Sequence, residues 1–430
     1  MADQNSNARR RKPRNPRQIF KEEYLPFLIL GAAALLCLSF IFGSIDLHRR
    51  QADARAKEER ISQLLEAEAQ DLKDRASLMA AEHDYENAMK LLSTYSGGLA
   101  GHGELMSLYN SCKRALAELV VWDNLAEVPN LSFRTLVADL DKAAADPNRG
   151  SSYTSRYITT GEFTRVLEQL YDNDYVLVSL YDFVTPGTAA DGSAGVSHTA
   201  IRLPAGKKPI ILTQEGVNYY SHTETCGGFA DALVLGENGE LTCRLGETEG
   251  AFDLVPVLNA FLEEHPDFSY EGARATIAVS GYEGLFGMDL SRSADIQAVA
   301  DKLRSQGYDL ACYTYADMRY ADYGASGIRE DLDKWNAEIK PLLGEVDLLV
   351  YPTGGDISDH EPYEGDKYDT LHSFGFRCFV GVENGIQWGL TTATYARQSR
   401  TLVTARNLTE HPEWFAGMFD AATVLDADRG

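Results

Sequence analysis

The chain has 430 residues, 44% of them apolar and 24% charged, with 36 Gly and 14 Pro, a composition that excludes a disordered, collagenous or multi-spanning protein. Its net charge of −24, from 40 basic and 64 acidic residues, argues against nucleic acid as a partner, because phosphate binding needs a basic surface. The charge is divided unevenly: residues 1–50 carry 9 Lys and Arg against 4 Asp and Glu, and the remainder carries 31 against 60.

The basic head (residues 1–23, with Arg9, Arg10, Arg11, Lys12, Arg14, Arg17 and Lys21) precedes LPFLILGAAALLCLSFIFGSI, 21 uncharged residues from Leu25 to Ile45. At ~1.5 Å rise per residue such a helix crosses a hydrocarbon core of roughly 30 Å. The positive-inside bias then predicts a transmembrane signal anchor over 24–47, with the N-terminus cytoplasmic and the acidic body outside the cell membrane. No small-x-small cleavage site follows Phe42, so a cleaved signal peptide is not expected. Of the six cysteines Cys37 lies in the span, and the five beyond it include no CxxC. Cys226 and Cys243 flank a probable hairpin, but a turn at Asn238-Gly239 would not set them opposite one another.

Residues 48–125 read as a helical stalk. Ile61, Leu64, Leu65, Leu72, Leu78 and Met79 recur at three- to four-residue steps among Ala, Glu, Lys and Arg. A stretch from Glu82 to Tyr95 and another from Glu104 to Val121 repeat that spacing. The segment DYENAMKLL resembles the start of a tetratricopeptide helix pair, though a single pair is not an array. A protein partner contacting 51–120 is the alternative to a passive stalk.

From residue 126 onward short apolar runs alternate with helical patterns. The runs are 131–140, 175–183, 209–216, 275–281, 308–315, 346–355 and 376–382. Helices are predicted at 160–173, 253–264, 293–306 and 328–343, and a hairpin at 229–245. Strand, helix, strand repeated five or more times predicts a parallel α/β sheet or barrel, whose chemistry gathers at the C-terminal strand ends. Those ends offer Gln214, Glu215, Tyr282, Tyr313, Asp317, Tyr351 and Asp356, with His222 and Trp388 nearby. Carboxylates beside aromatic faces suit a carbohydrate. The 9 histidines form no HxH, HxxH or HxxxH pair, so no metal site is predicted; a dispersed set such as Glu215, His222, Asp317 and His360 is the fallback. Arg397 and Arg400 in TYARQSR are read as helix-surface ion pairs with the acidic body, with contact to an acidic saccharide group as the alternative. Asn130-Leu131-Ser132 and Asn407-Leu408-Thr409 match the N-glycosylation acceptor pattern.

Residues 126–430 resemble the polysaccharide deacetylase family, the NodB-homology domain of carbohydrate esterase family 4. The matching segments are PNLSF (129–133), ITTGEFTRVLEQLYDNDYVLVSLYDF (158–183), VNYY (217–220), HPDFSYEGA (265–273), SGYEGLFG (280–287), YPTGGDI (351–357) and the YxxxxxxGF run at 368–376. The resemblance implies an α/β fold, a distorted (β/α) barrel of NodB type, preceded here by one transmembrane helix and a helical stalk. It also implies a general-base Asp, a metal-ligating Asp and two metal-ligating histidines.

The catalytic motifs depart from that pattern. The acidic strand end reads ILTQEGVNYY: if VNYY sets the register, Glu215 takes the base position and Gly216 the ligand position; if the glycine sets it, Gln214 and Glu215 do. The histidine motif reads Tyr313-Thr314-Tyr315-Ala316-Asp317, in which the threonine alone survives. Deacetylation needs a metal to polarise the carbonyl and a base to take the proton of water. The expectation is therefore a degenerate deacetylase-like domain that binds cell-wall or surface polysaccharide with no cofactor. The alternative is an active carbohydrate esterase using Glu215 and Asp317 as catalytic carboxylates, with zinc if a metal binds at all. If the site is vestigial, Glu215→Ala should leave the fold nearly intact.

Overall fold

A computed structural model describes residues 15–188, 194–427 and 429. Arg9, Arg10, Arg11, Lys12 and Arg14 of the basic head lie outside the described residues. The chain divides into two units, residues 1–72 with 95–97, and residues 73–94 with 98–430.

In the first unit the apolar stretch belongs to helix α1, Leu25–Ala81, whose 57 residues run on into the charged segment without a break. Leu, Ala, Glu, Lys and Arg are strong helix formers, and no proline follows Pro26 within it. Its apolar part is long enough to cross a membrane, and Phe27 and Phe40 are 76% and 83% exposed.

In the second unit α1 ends near His83, which takes a left-handed φ of 66°. Asp84 then caps helix α2, Tyr85–Leu92, by accepting from the Asn87 amide. Helix α3, Gly103–Ala117, packs against α2, and Ala88, Leu92, Leu105 and Cys112 are buried at the predicted spacing. This pair is docked on the barrel: Asp267 O lies 3.0 Å from His83 Nε2, and the Glu271 amide donates to Glu82 O at 2.7 Å.

The barrel has seven parallel strands: β1 Asn130–Phe133, β2 Lys208–Glu215, β3 Ala275–Val279, β4 Asp309–Cys312, β5 Leu348–Val350, β6 Cys378–Val382 and β7 Ala396–Leu402. Each pairs with the next in chain order, and β7 pairs with β1 to close the ring. Period-two alternation divides the core into two layers. Ile210, Leu212, Ile277, Leu310 and Leu349 face outward with Val166, Leu258 and Leu303 of the surrounding helices. Ile211, Ala278, Ala311, Leu348, Val350 and Val380 fill the interior.

Three expectations are corrected. The segment TYARQSR is strand β7, not a helix surface, and Arg397 and Arg400 are both 1% exposed. The run 175–183 supplies a short strand, Tyr175–Leu177, that pairs beside the start of β2 outside the ring and ends in the turn Leu180–Asp182. Asn130 is no acceptor for a glycan, because its side chain is locked in the barrel between Gln398 Oε1 at 3.1 Å and Thr213 Oγ1 at 2.9 Å. The hairpin pairs Leu233 with Cys243. All six cysteines are free thiols, so Cys226 and Cys243 are not bridged.

Candidate binding site at the barrel mouth

The C-terminal ends of β1, β2, β4 and β5 surround a cavity of about 150 Å³ lined by Arg134, Thr135, Tyr157, Glu215, Gly216, Tyr220, Thr223, Tyr313, Asp317, Pro352 and Thr353. Strand alternation decides which side chains enter it. In β2, Ile211, Thr213 and Glu215 point inward, whereas Gln214 shares the outer face with Leu212. The Gln214 amide donates to Asp253 Oδ1 at 2.8 Å, at the head of helix α4, Leu254–Glu264. Gly216 follows Glu215 with a φ of 68°, a turn that a side chain would strain.

Glu215 is 3% exposed. Its Oε2 accepts from Arg400 Nη2 at 2.6 Å and Nε at 3.2 Å, and from Ser132 Oγ at 3.4 Å. Arg400 is satisfied elsewhere too, donating to Val380 O and Tyr351 O at 2.8 Å each. A buried guanidinium needs such a full set of acceptors. Glu215 Oε1 has no hydrogen-bond partner, and Arg134 Nε stands 3.6 Å from it.

Asp317 sits across the cavity. Its Oδ2 accepts from the Tyr220 hydroxyl at 2.9 Å, while Oδ1 is buried without a partner. Burial raises its pKa to about 6, with the Tyr220 and Ser280 hydroxyls opposing and the Glu215 charge adding to the rise. Burial also pushes the Tyr313 and Tyr220 phenols up, so both remain neutral hydrogen-bonding groups. Thr314, Asp317 and Thr353 hold left-handed φ values of 59°, 52° and 49°. Non-glycine residues in that region cost free energy and gather where a site must be shaped. The surviving threonine of the motif serves this turn: Thr314 Oγ1 accepts from the Met318 amide at 2.8 Å.

The structure thus brings Glu215, Tyr313 and Asp317 together. Tyr351, Asp356 and Trp388 belong to a different cluster. Tyr351 is fully buried in the outer layer, where Tyr363 donates to its hydroxyl at 3.1 Å. Asp356 Oδ2 accepts from Arg397 Nη2 at 2.8 Å, and the Arg397 guanidinium lies 4.9 Å from the Trp388 ring. Tyr282 is 52% exposed on the rim, its ring 6.0 Å from that of Tyr220. His222 lies on the turn Ser221–Cys226, edge-on to Tyr153 and Tyr220; burial, then Arg149, lowers its pKa. His360 pairs with Glu383 at 2.6 Å. Sequence reading passed over Arg134, Tyr157 and the buried role of Arg400. For Arg134 a signal exists, since it continues the inward series Asn130, Ser132, Arg134.

The metal implied by the family resemblance can be tested on the donor chemistry. No imidazole lines the cavity, Tyr313 is a neutral phenol, one Glu215 oxygen is held by Arg400, and Arg134 and Arg400 would both repel a cation. Among the described residues no three His, Cys, Asp or Glu side chains are grouped to hold an ion. The residues present do not fit a metal.

No protein-family profile and no curated protein matches the chain. Solved structures do. The Streptococcus pyogenes deacetylase PplD in complex with acetate is similar at 10% identity, over 65% of this chain and 93% of that one, with a TM-score of 0.34. A putative polysaccharide deacetylase from Bacillus anthracis is similar at 13% identity, over 70% and 69%, with a TM-score of 0.38. The BpsB deacetylase domain from Bordetella bronchiseptica is similar at 15% identity, over 66% and 97%, with a TM-score of 0.34. At such identities and TM-scores nothing of their chemistry is transferred. The closed (β/α) barrel described above rests on its own strand pairings.

Proposed function

We propose that the chain is a membrane-anchored, deacetylase-like protein whose barrel binds a saccharide outside the membrane without metal-assisted hydrolysis. The observation that carries this reading is the donor set of the cavity. Glu215 and Asp317 each keep one buried oxygen without a partner, and no imidazole stands beside them. Orphaned buried acceptors demand donors, and sugar hydroxyl and amide groups supply them. The resemblance in the segments flanking the cavity points to the same ligand class. The uncharged 25–45 segment and the basic residues before it support the anchor and its orientation.

Calorimetric titration of the full chain, held in a non-glycosidic detergent, with chitotetraose tests the reading. Binding is expected, with no acetate released and less than one equivalent of zinc by elemental analysis. A full equivalent of zinc together with acetate release would overturn it. A second reading, hydrolysis by the carboxylate pair, is favoured by one arrangement: the Asp317 carboxyl, raised by burial to about 6, faces the same cavity as Glu215, which Arg400 pairs at 2.6 Å. Acetate release that survives chelation and is lost in Asp317→Asn would select that reading.

A further inference from the structure

Two guanidinium groups converge on one cavity carboxylate, Glu215: Arg400 at 2.6 Å and Arg134 at 3.6 Å. Arg400 spends its guanidinium on Glu215 and two backbone carbonyls, so Glu215 is neutralised before Arg134 is counted. Arg134 follows β1, lines the cavity with a side chain 24% exposed, and rests over the Tyr157 ring at 5.6 Å. It forms a long ion pair with Glu215 Oε1 at 3.6 Å, beyond hydrogen-bond distance, and bonds the Tyr157 hydroxyl; among the described residues no other carboxylate comes within ion-pair distance. Across the cavity, Asp317 Oδ1 is buried and awaits a donor. A complementary ligand therefore presents a monoanionic acceptor at one end and a hydroxyl at the other. A phosphate monoester would bring two charges toward two carboxylates already present, whereas one carboxylate matches the guanidinium fork.

Resting on the saccharide reading above, we propose that this cavity recognises an acidic saccharide unit, with Arg134 binding its carboxylate and Asp317 accepting from a ring hydroxyl. Arg134 then sets the specificity.

The test is calorimetric titration of the full chain in a non-glycosidic detergent. One probe is hyaluronan tetrasaccharide, which carries glucuronate carboxylates; the other is the same tetrasaccharide with its carboxyls reduced to alcohols. The acidic form is expected to bind at least about tenfold tighter, the scale of one charge-assisted bidentate contact. Arg134→Gln should erase that preference while leaving the reduced form within about twofold of its affinity for the parent chain. Equal binding of the two forms, or an equal loss of both in Arg134→Gln, overturns the carboxylate assignment and leaves the saccharide reading standing. Binding of chitotetraose without binding of the acidic probe does the same. If no saccharide binds, both readings fall. Melting curves separate these outcomes from misfolding. Should Arg134→Gln fail to fold, Arg134→Lys, which keeps the charge and loses the fork, must still narrow the preference.

Discussion

Replacing Asp317 by Asn removes a carboxyl that folding holds in an unfavourable place. Its pKa rises from 3.8 to about 6 on burial, and a raised carboxylate pKa means that the ionised form is the costly one. Below about pH 3 the group is protonated in both folded and unfolded chains and costs nothing. As pH rises from about 3 to 6 the unfolded chain ionises first, and stability falls until the folded group ionises as well. Two pKa units at 1.36 kcal/mol each set the loss at roughly 3 kcal/mol above pH 7. Asparagine keeps an acceptor for the Tyr220 hydroxyl without the charge. Asp317→Asn should therefore stabilise the second unit by about 1–3 kcal/mol at pH 8 and by no more than about 0.5 kcal/mol at pH 4. Urea unfolding of the full chain, followed by tryptophan fluorescence at both pH values, reads this from the midpoint at constant slope. A gain equal at pH 4 and pH 8, or a loss at pH 8, refutes the reasoning.

Other perturbations follow from the same geometry. The expectation that Glu215→Ala leaves the fold nearly intact does not survive the structure. That change strands the fully buried Arg400 and should cost about 3–5 kcal/mol, whereas Glu215→Leu with Arg400→Met should recover most of the loss; a cost under 1 kcal/mol for Glu215→Ala in urea unfolding would show the pair to be dispensable. Gly216→Ala, at a φ of 68°, should destabilise by about 1–2 kcal/mol in the same assay, and no change would mean that the turn relaxes.

The legible features were those whose signal lies along the chain. The uncharged run from Leu25 to Ile45 sits within α1, and a helix occupies each of 160–173, 253–264, 293–306 and 328–343, because spacing and composition are local properties. Six of the seven barrel strands were visible as apolar runs. The seventh was not: β7 reads Ala-Arg-Gln-Ser-Arg, its inward residues Gln398 and Arg400 are polar, and no alternation of apolar and polar types marks it. Gln398 is held by Val128 O and Asn130, and Arg400 by Glu215, partners more than 180 positions away in the chain.

The site divides in the same way. Sequence alone named Glu215 and Asp317 and the absence of paired histidines, since a missing residue type needs no structure to be noticed. It left the 212–217 register open and placed Gln214, Tyr351, Asp356 and Trp388 at the same mouth. Barrel closure separated them, because a strand turns successive side chains to opposite faces and a shift of one position exchanges interior for exterior. Residue types and their local periods were thus the sequence's to determine: an apolar span, helices, strands and a set of segments that resemble the deacetylase family. Which carboxylate faces the cavity and which arginine neutralises it were decided by tertiary structure, because that pairing joins residues that only the closed ring of strands brings within hydrogen-bond reach.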